Sequence, residues 1–268
     1  MIVKDNQTKA PIQSTLEQGN RLPLPRKILI LSLTRRSSPN SATQPKALLW
    51  KHLARVYLHI LVRSLRLMSY RVTTVTEALA APVGRFACLT FDVADEHLLT
   101  EVLPGLDRLR APATLFVPTM PTSDQMNWGA IRALAMKGWD IGSLGHELTN
   151  LTDHSYVDQR RSVMQSKALL TDHLGAPPKL FAYPFGAYDA TTVSCVRDAG
   201  FIGAVTLKRG RNDEELGDQA SFHLRRLPLR GSLLRDLPYI IKTAFSPSLQ
   251  PLRNTPGHDS VPSPGVGL

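Results

Sequence analysis

Arg85-Phe86-Ala87-Cys88-Leu89-Thr90-Phe91 is the stretch whose reading decides the fold. Five of the seven residues are apolar, with aromatic rings near both ends, so the run reads as a buried strand. It is followed at once by a carboxylate, Asp92. Downstream the pattern alternates: a helix over 97–109, a strand over 113–117, a helix over 128–137 ending at Gly138, and a strand over 139–143. A long helix over 156–174, closed by Gly175, precedes a strand at 180–183. A helix over 189–199 follows, with Asp189 as its expected N-cap and Gly200 past its end, then a strand over 202–206. A loop over 208–220, a strand over 222–229 and a helix over 233–244 close the pattern. Upstream lie a strand over 71–75, a short helical turn over 76–80, a periodic helix over 47–68 and a short β-like run at 28–33. Strand–helix alternation of this length predicts an α/β fold with a parallel sheet, open or closed into a barrel. In a barrel the working groups come from the C-terminal ends of the strands, here 91–95, 143–149 and 183–186.

Composition sets the outer limits. The chain has 268 residues, 43% of them hydrophobic and 20% charged, enough to bury a core. Its two cysteines, Cys88 and Cys195, cannot build a disulfide scaffold or a cysteine-rich zinc site and read as inert buried thiols. No apolar run approaches the roughly 18 residues that span a bilayer, and the first residues carry no signal-peptide core, so a cytoplasmic location is the default expectation. The net charge of +10 lies wholly before residue 81, where 13 Lys/Arg face three Asp/Glu. The expected organisation is a basic flexible arm over 1–45, a barrel over 46–245, and a disordered Pro/Gly-rich tail over 246–268.

On a helical wheel of the 47–68 segment, Lys51, His52, Arg55, His59, Arg63 and Arg66 fall on one side. Leu49, Trp50, Leu53, Tyr57, Ile60, Leu61 and Met68 fall on the other. Docking on a core accounts for the apolar arc. The basic arc, with the rest of residues 1–80, also suits an anionic membrane surface or another polyanion. No aromatic-interleaved basic patch or zinc-finger spacing points to specific nucleic-acid binding.

The three strand ends, read together, resemble the polysaccharide deacetylase family, the NodB-homology or carbohydrate esterase family 4 fold. The family's T-F-D-D-G motif appears as Thr90-Phe91-Asp92-Val93-Ala94. Its I-G-S/N-H-x-x-x-H-x-x-L motif appears as Ile141-Gly142-Ser143-Leu144-Gly145-His146-Glu147-Leu148-Thr149-Asn150-Leu151. Its F-x-Y-P-x-G strand end is Phe181-Ala182-Tyr183-Pro184-Phe185-Gly186. The resemblance spans about residues 46–240 and implies a (β/α) barrel, distorted or incomplete. It also implies removal of acetyl groups from N-acetylated glycans by an Asp base and a divalent metal, commonly zinc. On this pattern Asp92 takes the base position, and Tyr183, Pro184, Phe185 and Gly186 the substrate-binding turn. The same four residues would equally close a strand by a tight turn.

The departures fall on the metal. Its ligand positions here are Val93, Leu144 and Leu148, and aliphatic groups offer no lone pair, so no metal ligand and no cofactor is expected. A shifted cluster from Asp92, Asp95, His97 and His146 is the alternative; His146 would share the side of the two leucines on an extended segment but not in a turn. No late His general acid follows the family's manner, since His223 precedes Leu224-Arg225-Arg226. Three readings follow. The first is a family member with lost or impaired metal catalysis and a retained carbohydrate- or partner-binding cleft. The second is a metal-independent hydrolase of non-peptide C–N bonds that uses Asp92, with His146 as a second candidate. The third is a peripheral membrane or polyanion binder acting through residues 1–80.

Overall fold

Buried strands with no polar face must be covered on both sides, and a computed structural model of the chain shows how this is done. The structure describes residues 26–33, 46–92, 98, 102–120, 127–213, 220–229 and 232–245. The strands are β1 (Lys27–Ser32), β2 (Arg71–Val72), β3 (Arg85–Asp92), β4 (Thr114–Val117), β5 (Asp140–Ser143), β6 (Leu180–Ala182), β7 (Gly203–Val205), β8 (Asn212–Asp213) and β9 (Leu227–Pro228). The helices are α1 (Lys46–Leu67), α2 (Val75–Ala80), α3 (Leu103–Arg108), α4 (Trp128–Met136), α5 (Tyr156–Leu174), α6 (Ala190–Asp198) and α7 (Leu233–Phe245).

The sheet runs β7-β6-β5-β4-β3-β1-β8, with β2 added to β3 and β9 to β1. Every pairing is parallel except β1 with β8. The sheet curls until one short segment touches both ends: Leu224 bridges Val205 of β7, while Leu227 pairs with Leu31 of β1. This is the parallel α/β sheet expected from strand–helix alternation, in the distorted (β/α) barrel form that the resemblance implies.

Period-2 alternation sorts the side chains into two layers. Ile28 and Ile30 of β1, Phe86 and Cys88 of β3, Phe116, Leu180, Ala182, Val205 and Leu224 fill the interior of the curl. Val75 and Ala78 of α2 belong to the same cluster. Leu29, Leu31, Ala87, Leu89 and Phe91 point the other way, against α1, α3 and α7. Gly142 has its place because Phe116 crosses it: a β-carbon there would lie 2.6 Å from the ring.

Several expectations are corrected. The arm does not extend over 1–45, since residues 27–32 form a strand at the heart of the sheet, paired with β3 along its whole length. Ile28 to Leu31 are each 0% exposed, and each such side chain contributes about 1.5–3 kcal/mol by leaving water. The first 25 residues and residues 246–268 lie outside the described residues. The 71–75 strand stops at Val72 because the Thr74 hydroxyl accepts from the Glu77 amide and starts α2. The 222–229 strand is broken into a 3-10 turn over 220–223, the bridge at Leu224 and β9, and β8 lies within the 208–220 loop. On α1, Tyr57 and Leu61 are buried as expected, but Ile60 is exposed. The N-cap expected at Asp189 is present as a full capping box with Thr192.

Candidate functional site

The site is built where β3, β4, β5, β6 and the 224–228 segment end on one rim. Asp92 is the last residue of β3 and lies in phase with Phe86 and Cys88, so alternation turns it inward. It is met there by Arg226. The side chain of Arg226 is 1% exposed and that of Asp92 14%, and the guanidinium Nη1 donates to Asp92 Oδ1 at 2.7 Å. Arg226 Nε donates to the Thr206 carbonyl at 2.9 Å, and the guanidinium carbon stands 5.9 Å from the Phe116 ring centre. The guanidinium is thus held by one carboxylate, one carbonyl and one ring, and it fixes one oxygen of Asp92. Asp92 therefore faces a buried cation.

The inward direction of Arg226, though not its partner, is legible in the sequence. Leu224 and Arg226 are two apart in an extended segment, so an inward Leu224 implies an inward Arg226. A buried arginine requires a carboxylate.

The second motif turns rather than extends. Gly145 has φ +83°, and around it the loop is pinned to β4 and α5. Thr119 and Met120 amides donate to the Gly145 and His146 carbonyls, and the His146 amide donates to the Ser162 hydroxyl at 3.1 Å. His146 Nδ1 lies 2.8 Å from the Thr119 hydroxyl. Leu144 is buried in the interior cluster with Phe116, and Leu148 packs against that cluster. Val93, Asp95 and His97 lie outside the described residues. Among the described residues, no group of three or more His, Cys, Asp or Glu is placed to hold a metal ion. Leu144 and Leu148 do not fit a divalent cation, because they present only alkyl groups to the interior.

The third motif divides by face. Tyr183 shares its face with Phe181, in the outer cluster covered by α5 and α6. Its hydroxyl donates to the Phe222 carbonyl at 3.0 Å, and burial pushes its pKa well up. The Tyr183 amide donates to the Val205 carbonyl, so neither of its donors is free for a ligand. Pro184 is buried, whereas Phe185 is 65% exposed on a backbone at φ +56°. Gly186 follows at φ +73°, where a β-carbon would lie 2.7 Å from Leu207. Of the four residues expected to bind substrate, Phe185 is the one whose ring reaches solvent.

His223 lies nearby, its ring centre 5.3 Å from that of Tyr188. Partial burial, then the cations Lys208 and Arg197, hold it below the ordinary histidine range. The two thiols are buried; Cys88 donates to the Thr74 carbonyl, and burial pushes both above the usual thiol range.

A curled parallel sheet with an inward carboxylate at its C-terminal rim defines the class, a distorted (β/α) barrel. Comparison with known proteins makes this specific. Residues 81–204 match the family described as polysaccharide deacetylase. Solved structures of similar fold include the Streptococcus pyogenes deacetylase PplD in complex with acetate, at 18% identity and a TM-score of 0.63 over 79% of this chain and 95% of that one. IcaB from Ammonifex degensii is similar at 19% identity and a TM-score of 0.64, over 81% of this chain and 97% of that one. The BpsB deacetylase domain from Bordetella bronchiseptica is similar at 17% identity and a TM-score of 0.60, over 76% of this chain and 96% of that one. No curated protein matches the chain in sequence.

Proposed function

We propose that this protein binds N-acetylated glycan at the rim of its barrel and has lost the metal-dependent deacetylation of its family. One observation carries the reading. Leu144, at a position where the family motif has a metal-binding histidine, is packed into the barrel interior beside Phe116 and Leu180. Leu148 packs against the same cluster, and Val93 offers a third aliphatic group in sequence. A carbonyl polarised by a metal, and a water acidified by one, are both unavailable to such a site. Asp92 keeps its position and its charge partner, but a carboxylate alone is a weak base toward ordinary water. At the rim Phe185 presents an exposed ring, a surface on which a pyranose can stack.

Elemental analysis of protein purified without affinity-tag metal tests this directly. We expect well under one zinc, cobalt or manganese per chain, and no acetate release from chitooligosaccharides with zinc or cobalt added. The triple substitution Val93→Asp, Leu144→His and Leu148→His is expected to raise metal content toward one per chain. Near-stoichiometric metal in the wild type would overturn the proposal. Robust wild-type activity, indifferent to chelator and abolished by Asp92→Asn, would replace it with a metal-independent hydrolase.

A further inference from the structure

We infer that the outward face of α1 is a docking surface for an anionic lipid bilayer. The inference is independent of the chemistry at the barrel rim. α1 buries one side against the sheet through Tyr57, Leu58, Leu61, Val62 and Leu65. A surface helix with its apolar stripe so spent should present only polar groups outward. α1 does not: Val56 is 53% exposed, Ile60 37% and Leu67 86%. The three are spaced four and seven residues apart, which places them on one side of the helix along about 16 Å of its length.

The charged groups flanking this stripe are all basic. Arg55, His59, Arg63 and Arg66 are exposed on α1, and residues 46–67 contain no Asp or Glu. Arg66 reaches across to the carbonyls of Leu109 and Arg110 at the end of α3, where Arg108 and Arg110 are themselves exposed. The nearest acid on α3, Asp107, is paired with Lys137.

α7 lies beside α1, joined to it by the Tyr57 hydroxyl, which donates to Asp236 at 2.7 Å. That carboxylate is buried and also accepts from the Ser232 amide, so it adds no negative charge to the surface. α7 repeats the pattern of α1: Leu234, Ile241 and Phe245 are exposed, with Arg235 and Lys242 among them.

Isolated exposed apolar residues need no explanation, but two neighbouring helices that each carry an apolar stripe set in cations do. An anionic bilayer matches both features at once, taking the alkyl groups at the headgroup boundary and the cations at the phosphates. The contact is peripheral, since no helix among the described residues is long and apolar enough to cross a membrane.

Vesicle flotation of the full chain at about 100 mM salt tests the assignment, with phosphatidylcholine alone against phosphatidylcholine containing 30% phosphatidylglycerol. The wild type is expected to float with the anionic vesicles only. Arg55→Gln with Arg63→Gln should weaken binding roughly 25-fold, about fivefold for each cation lost. Ile60→Ser with Leu67→Ser should weaken it about tenfold. Lys4→Gln, Lys9→Gln and Arg21→Gln together should leave most of the binding intact. All four residues changed on α1 are exposed, so an unchanged melting temperature is the control for folding. Three results would overturn the inference. One is no binding to anionic vesicles. Another is loss of binding with the Lys4, Lys9 and Arg21 changes but not with those on α1. The last is a dimer in sedimentation velocity that the Ile60 and Leu67 changes dissolve, with vesicle binding unaffected, which would make a second copy of the chain the occupant.

Discussion

Replacing Asp92 by leucine should cost this protein more stability than any other single change at the rim, whatever its effect on chemistry. The change removes the carboxylate that accepts from Arg226 Nη1 at 2.7 Å and leaves a guanidinium 1% exposed. What remains to it is the Thr206 carbonyl at 2.9 Å and the edge of the Phe116 contact. Removing one partner of a buried pair costs about 3–5 kcal/mol, because the other charge is left uncompensated in a poorly polarisable surrounding. The 14% exposure of Asp92 gives water a partial route to the pair, so the lower half of that range is expected. For a domain of this size each kcal/mol lowers the melting temperature by roughly 2–4 °C. A loss of about 6–16 °C should therefore be seen by thermal melts, and about 1–2 M in the urea midpoint with little change in slope. The double variant Asp92→Leu with Arg226→Met removes both charges and should recover most of the loss, giving a coupling energy of about 2 kcal/mol or more. Were Asp92→Leu to fall within about 1 kcal/mol of the wild type, or the two single losses simply to add, the pair would not be the element that holds this rim together.

Two further outcomes follow from the fold. A chain beginning at residue 46 should not fold cooperatively, since it lacks β1 and leaves β3, β8 and β9 without their shared partner; a two-state urea transition from such a chain, monitored by tryptophan fluorescence, would contradict the placement of residues 27–32. The depressed titration of His223 makes the folded state bind fewer protons than the unfolded chain, so its contribution to stability is present above the ordinary value of 6.5 and is lost as pH falls through the folded value. His223→Gln should flatten the fall in urea midpoint below pH 6.5, and an unchanged pH slope in the variant would assign that fall to other groups.

The fold was largely legible because its signals are local. Arg85 to Phe91 announces itself as a buried strand by composition, and α5 and α6 by their caps at Gly175 and Asp189. β1 was seen as a run but assigned to an arm, because the residues on either side of it are polar and its partner, β3, is more than fifty residues away. The site was legible in outline and not in direction. The second and third motifs were recognised as segments, yet the face on which each side chain falls depends on the register of the strand before it. Phe181 and Tyr183 face the outer helices while Leu180 and Ala182 face in, so the tyrosine of the motif is a core residue and the phenylalanine after it is the exposed one. Arg226 is the hardest kind of residue to read, since nothing near it in sequence says that its charge is answered by a carboxylate at the end of β3.

The balance of charge inside the barrel bears on whether a metal site could be rebuilt around Asp92. The interior face of the sheet is lined largely by apolar side chains, with the uncharged Ser32, Thr90 and Thr114 in the same phase, and the charged pair at the rim, Asp92 and Arg226, sums to zero. A divalent cation placed beside Asp92 would set three positive charges against one negative in a surrounding that screens them poorly. Such an arrangement is tolerable only if further anionic ligands come with the ion. Leu144 and Leu148 supply none, and the His146 ring is engaged by the Thr119 hydroxyl. Restoring histidines without Val93→Asp should therefore achieve little, because two neutral imidazoles leave the excess positive charge where it was. The substitution that adds a carboxylate is the decisive member of the triple variant. Metal binding by Leu144→His with Leu148→His alone, measured by elemental analysis after dialysis, would show that this charge argument is wrong.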